Sequence, residues 1–93
     1  MALLWSMESK ADLNRLFGFL VKKNPLAAAK AIAAIRAGSD NLLTFPEAGH
    51  PMEGDTDRRE HAVPFGGGGY VLRYRITHGD VFIIRVWHTR ETR

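Results

Sequence analysis

The chain contains no cysteine, so it has neither a disulfide framework nor thiolate metal ligands, and a small chain without such staples points to a reducing, cytoplasmic setting. Long apolar runs are also missing. The N-terminal MALLWS is too short for the apolar region of a signal peptide, and Glu8, Lys10 and Asp12 follow at once, which argues against export and against any membrane partner. Lysine is absent after Lys30, and no aromatic residue follows Trp87. The histidines His50, His61 and His78 are scattered without paired spacing, so no metal site and no cofactor are expected.

What is present describes an ordinary folded chain. With 45% hydrophobic and 25% charged residues it lies far from the apolar poverty of disordered sequences, and at 93 residues one domain spanning 1–93 is expected. The formal net charge of +3 favours an acidic or polyanionic partner. Its distribution says more than its size: the lysines all lie in the first third, whereas Arg58, Arg59, Arg73, Arg75, Arg85, Arg90 and Arg93 make the later part a basic surface without lysine.

The periodicity divides the chain in two. Residues 2–5 read as a short edge strand, and Ser9-Lys10-Ala11-Asp12 has the spacing of a capping box that opens a helix. Leu13, Leu16, Phe17 and Leu20 then recur at helical spacing, with Asp12, Arg15, Lys22 and Lys23 expected toward solvent. Asn24-Pro25 starts a second helix, because asparagine caps and proline is preorganised for the first turn. Leu26, Ala29, Ile32, Ile35, Leu42 and Leu43 are its expected buried side, and Phe45-Pro46 stops it. Residues 46–57 show no periodicity and read as a surface loop.

Beyond that loop the period becomes two. A strand is expected over residues 59–65, then two strands around Tyr70, Leu72, Tyr74, Ile76 and around Phe82, Ile84, Val86, joined by the turn Thr77-His78-Gly79-Asp80. Gly66 to Gly69 lack the lysine and following helix of a phosphate-binding loop and read as a flexible connection. The predicted class is α+β, ordered β-α-α-β-β-β, with a helical hairpin on one face of a small, mainly antiparallel sheet. Arg73, Arg75, Arg85 and Trp87 share one parity, which places them on the face away from the helices, Trp87 as an exposed anchor. Arg59 and Glu60 read as an ordinary surface pair.

The order and spacing of these pieces resemble the ParE/RelE superfamily of toxins from type II toxin-antitoxin modules. The matching segments are Ala11-Asp12-Leu13, Asn24-Pro25-Leu26-Ala27-Ala28, LLTFPEAG from Leu42, Arg59-Glu60, Tyr70 to Ile76, and VFIIRVWHTRE from Val81. The resemblance implies a RelE/ParE-like fold and a cognate antitoxin that wraps the toxin in a hetero-oligomer. Its helix would dock on Leu13, Phe17, Leu20, Ile32 and Ile35. ParE-like members inhibit DNA gyrase by direct binding; RelE-like members are ribosome-dependent mRNA endoribonucleases.

The residues favour the first of these. RelE-like cleavage needs basic side chains to activate a ribose 2′-hydroxyl and stabilise the charge on phosphorus, usually with a tyrosine near the C-terminus. The loop that carries such groups in RelE-like proteins here has Glu47, His50, Glu53, Asp55 and Asp57, and Glu91-Thr92-Arg93 stands where a tyrosine-bearing tail is typical. If the chain were a nuclease, His88 with Arg73 and Arg90 would carry the chemistry. As a gyrase-binding toxin it would meet its target through Arg73, Arg75, Arg85, Trp87, His88 and Arg90. A basic interaction module without toxicity is the third alternative.

Overall fold

The computed structural model describes residues 1–91, and residues 55 and 56 by their backbone alone. Its elements are β1 (Leu3–Trp5), α1 (Met7–Val21), α2 (Pro25–Thr44), β2 (His50–Met52), β3 (Asp55–Phe65), β4 (Gly68–Thr77) and β5 (Asp80–His88). The five strands form one sheet in the order β1-β5-β4-β3-β2, in which β1 runs parallel to β5 and every other pair is antiparallel. Leu16 of α1 and Ala31, Ile35 and Leu42 of α2 share a core with Val63, Tyr70, Leu72, Tyr74, Val81, Ile83 and Val86. Both helices therefore cover the same face of the sheet, as the α+β reading expects.

Local chemistry accounts for most boundaries. Asn24 caps α2 by accepting from the Ala27 N–H at 3.1 Å, and Pro25 begins the helix. Gly38 does not interrupt α2, and its missing side chain is what lets the helix approach β3: a Cβ there would lie 2.5 Å from Val63 Cγ2. His78 and Gly79, with φ of 51° and 81°, give the β4–β5 hairpin two consecutive left-handed residues, the geometry that matches strand twist.

Several expectations are corrected. The N-cap of α1 is Ser6, whose Oγ accepts from the Ser9 N–H at 2.9 Å, while Ser9 itself is buried inside the helix. The Ser6 N–H also bonds to Ile83 O at the end of β1, which fixes the helix start three residues before the expected Ser9. In α2 the buried side is Ala28, Ala31, Ile35, Ser39 and Leu42, whereas Leu26 and Ala29 are exposed. A run of alanines is apolar on every face, so its periodicity carries no phase.

The loop read over residues 46–57 contains β2 and the start of β3, in which His50 pairs with Glu60 and Pro51 with Arg59. A three-residue edge strand is too short to show a period, and a proline is tolerated there because no outer neighbour needs its N–H. Only Gly66 and Gly67 form a connection, since Phe65 pairs with Gly68; Gly68 and Gly69 are strand residues. Finally, Arg73 pairs with Arg85 but Tyr74 with Ile83, so Ile84 is an extra residue in β5. This bulge flips the alternation and sends both Ile83 and Val86 into the core.

Candidate functional site

With both helices on one face, the other face of the sheet is covered by no element among the described residues. Register places three rows of side chains across it. One runs Arg58, Arg75, Phe82; the next His50, Glu60, Arg73, Arg85; the third Ala62, Val71, Trp87. In the middle row Glu60 Oε2 accepts from Arg73 Nε at 3.0 Å and from Nη2 at 2.8 Å. The guanidinium so held lies 4.9 Å from the centroid of the Trp87 ring. Trp87 is thus only 7% exposed, and the expected exposed anchor is instead the floor beneath Arg73. Arg75 is half-buried beside Arg58 and has no ion-pair partner among the described residues.

Arg85 leaves the row. Its Nε and Nη2 donate to Asp12 Oδ2 and Oδ1 at 2.8 and 3.1 Å, and the same carboxylate accepts the Val86 N–H at 2.9 Å. Asp12, expected at the solvent face of α1, is buried. Burial alone would raise its pKa. The Arg85 and Val86 hydrogen bonds, with the charges of Arg85 and Arg15, outweigh that effect and hold the carboxyl below the usual carboxylate value. Arg85 is therefore a structural partner of α1 as much as part of the free face.

His88 pairs with Tyr70 and meets its ring edge-on at a centroid distance of 5.3 Å, on the core side of the sheet. Its Nδ1 accepts the Arg90 N–H at 3.1 Å, so the neutral imidazole carries its proton on Nε2. Arg73 projects from the opposite side, over Trp87. His88, Arg73 and Arg90 are consequently not gathered around one point, because neighbouring strand positions alternate faces. Arg90 is exposed in the turn after β5, and Arg93 lies outside the described residues.

Between the helices and β1 runs an open groove of about 850 Å³, with Leu3, Trp5, Leu13, Phe17 and Ile32 along it and Lys10 and Arg36 at the rim. Phe17 is 41% exposed there. Leu20 is half-buried against the core and lies outside this groove, and Ile35 is wholly buried, with no surface to offer a docking helix.

Sequence reasoning missed the residues that fix the loop after α2. The Tyr74 hydroxyl donates to Pro46 O at 2.6 Å and accepts from the Gly49 N–H at 2.9 Å. Arg59 Nη1 donates to Glu47 O and Gly49 O at 3.2 and 2.8 Å, which separates Arg59 from Glu60 rather than pairing them. The available signal was Tyr74 itself, since a tyrosine at an inward position needs a partner for its hydroxyl. Among the described residues no three histidine, aspartate or glutamate side chains converge as metal ligands, and no helix is long and apolar enough to cross a membrane.

A helical hairpin on one face of a five-stranded sheet, an arginine-bearing face opposite and an apolar groove beside the first strand define a small basic α+β protein with two chemically distinct exposed surfaces. The chain belongs to the ParE toxin family of type II toxin-antitoxin systems, whose sequence model matches residues 3–93. It is 39% identical over 90 residues to toxin RelE1 of Caulobacter vibrioides, covering 97% of this chain and 95% of that one. Toxin RelE3 of the same organism is 34% identical over 85 residues, covering 91% and 90%. A solved structure of the chromosomal ParDE toxin-antitoxin system from P. aeruginosa has the same fold, with a TM-score of 0.75 at 23% identity over 95% of each chain.

Proposed function

We propose that this toxin is neutralised by a cognate antitoxin that seats an apolar helical segment against Leu13, Phe17 and Ile32 in the groove, forming a hetero-oligomer. Released, it inhibits DNA gyrase by direct binding through the arginine face and the turn after β5. The observation that carries the non-catalytic reading is the separation of His88 from Arg73 on opposite sides of the sheet. General acid-base cleavage requires its groups within hydrogen-bond reach of one reacting centre. The anchored loop after α2 also contributes Glu47 and Glu53 where a nuclease needs cations.

A second reading, ribosome-dependent RNA cleavage, is favoured by one observation. His50 and Glu60 are register partners, and Glu60 is hydrogen-bonded to Arg73, which lines up an acid/base candidate, a carboxylate and a cation on the free face. The two readings separate on induction in cells. Gyrase inhibition raises a DNA-damage reporter while translation continues; RNA cleavage stops translation within minutes and is lost in Glu60→Gln. In either case Phe17→Asp keeps toxicity and escapes neutralisation by the antitoxin. Toxicity still fully neutralised in Phe17→Asp contradicts the groove as the docking place.

A further inference from the structure

Strand β5 outlasts its neighbour. β1 pairs with Val81, Phe82 and Ile83, so among the described residues no strand lies beside the edge of β5 from Ile84 to His88. Open edges of this kind pair with stray chains unless something fills them. Here side chains do so. Ser6 Oγ donates to Ile84 O at 2.7 Å, Asp12 Oδ2 accepts from Val86 N–H at 2.9 Å, and Glu91 Oε2 accepts from His88 N–H at 2.8 Å.

The two carboxylates are linked. Arg15, one turn after Asp12 on α1, lies 3.6 Å from Asp12 Oδ1 and grips Glu91 through Nη1–Oε1, with Nη2 3.5 Å from Oε2. The Glu91 N–H returns to His88 O at 2.9 Å and closes the turn that carries Arg90. On the same helix Leu13 and Phe17 face the groove. Residues of α1 thus form a groove wall on one side and clamp the turn on the other.

We infer that Arg15 is a positioning residue: through Glu91 it fixes the turn of residues 88–91 to α1, and so sets where His88 and Arg90 stand relative to the helix that walls the groove. Arg15 and Glu91 side chains are 43% and 31% exposed, so as a source of global stability the pair is minor. Its effect lies in place rather than strength, because it acts on a short turn with few packed contacts, the kind of segment that opens locally without global unfolding. The functional part of the inference rests on the proposed reading that the target is met at this turn.

The test uses the whole chain with Arg15→Gln, Glu91→Ala, the double variant and Arg15→Lys. Amide exchange at His88 is measured by NMR, and growth arrest by colony counts after induction. Each loss variant is expected to speed His88 exchange about tenfold, as loss of a hydrogen bond to a charged acceptor implies, with the melting temperature nearly unchanged. The double variant goes no further than either single, and Arg15→Lys retains most of the protection. Survival after induction rises about tenfold, in step with a correspondingly weaker encounter with the target.

Unaltered His88 exchange in both single variants overturns the clamp. Faster exchange with full growth arrest overturns the positioning role. The His88→Ala/Arg90→Ala variant tells that failure from failure of the underlying reading: if it too arrests growth fully, the target is met elsewhere.

Discussion

Arg85 and Asp12, separated by 73 residues, meet side-on, with Nε–Oδ2 at 2.8 Å and Nη2–Oδ1 at 3.1 Å. The carboxylate also takes the Val86 N–H, so one buried side chain ties α1 to the sheet at the place where β1 gives out. Removing it leaves the buried Val86 N–H without its acceptor and releases the partly exposed Arg85 guanidinium to solvent. Asp12→Ala is expected to cost about 2 kcal/mol, chiefly for the unpaired Val86 N–H, because the Arg85 side chain is 36% exposed and can turn to water. Asp12→Asn, which keeps an acceptor, costs about half as much. Urea unfolding checks this, with the midpoint falling at constant slope.

The acid limb of stability has two stages. Burial lowers the pKa of His61 in the folded chain, so the unfolded chain takes up that proton more readily and stability declines as pH falls below about 6.5. The Asp12 pKa is lowered as well, which stabilises the fold above about 3.8; this contribution disappears as pH falls through the depressed folded value. Unfolding midpoints measured from pH 8 to 3 should show both steps, the first removed by His61→Gln and the second by Asp12→Asn.

Tyr74→Phe deletes one oxygen that serves both Pro46 O and the Gly49 N–H. With the Gly49 N–H left in a buried setting and the Pro46 carbonyl in a part-buried one, the loss is expected to be about 2 kcal/mol. Amide exchange at Gly49 should accelerate more than at core positions of β4, because Arg59 holds only carbonyls of this loop.

At Gly69 a Cβ would lie 2.5 Å from Val63 O, a contact with backbone that no rotamer relieves. Gly69→Ala therefore destabilises by about 2–3 kcal/mol, comparable to overpacking a core. At Gly67 the nearest atom to such a Cβ is the Arg90 Nη2, 4.0 Å away, so Gly67→Ala is near neutral. The comparison of the two midpoints separates a strand glycine from a turn glycine in the same run.

How far the sequence carried the reading depended on the range of the forces involved. The α2 start at Asn24-Pro25 and the hairpin turn at His78-Gly79 were legible, because a few adjacent residues determine them. The destination of Asp12 was not: helical spacing placed it toward solvent, and its partner lies in β5. Parity put Trp87 on the outer face correctly, yet could not foresee that Arg73, drawn over by Glu60, would cover it. The Ile84 bulge likewise depends on pairing between strands rather than on composition. Local elements were legible; the links that shape the arginine face and the apolar groove arise from tertiary contacts.

The most direct measurement is supercoiling of relaxed plasmid by purified DNA gyrase with ATP, with and without this protein, run beside a translating-ribosome mRNA cleavage assay. Direct gyrase inhibition predicts blocked supercoiling or trapped cleaved DNA, reversed by the antitoxin, with mRNA intact. Unimpeded gyrase together with codon-phased mRNA cuts, lost in Glu60→Gln or His88→Ala, would contradict it.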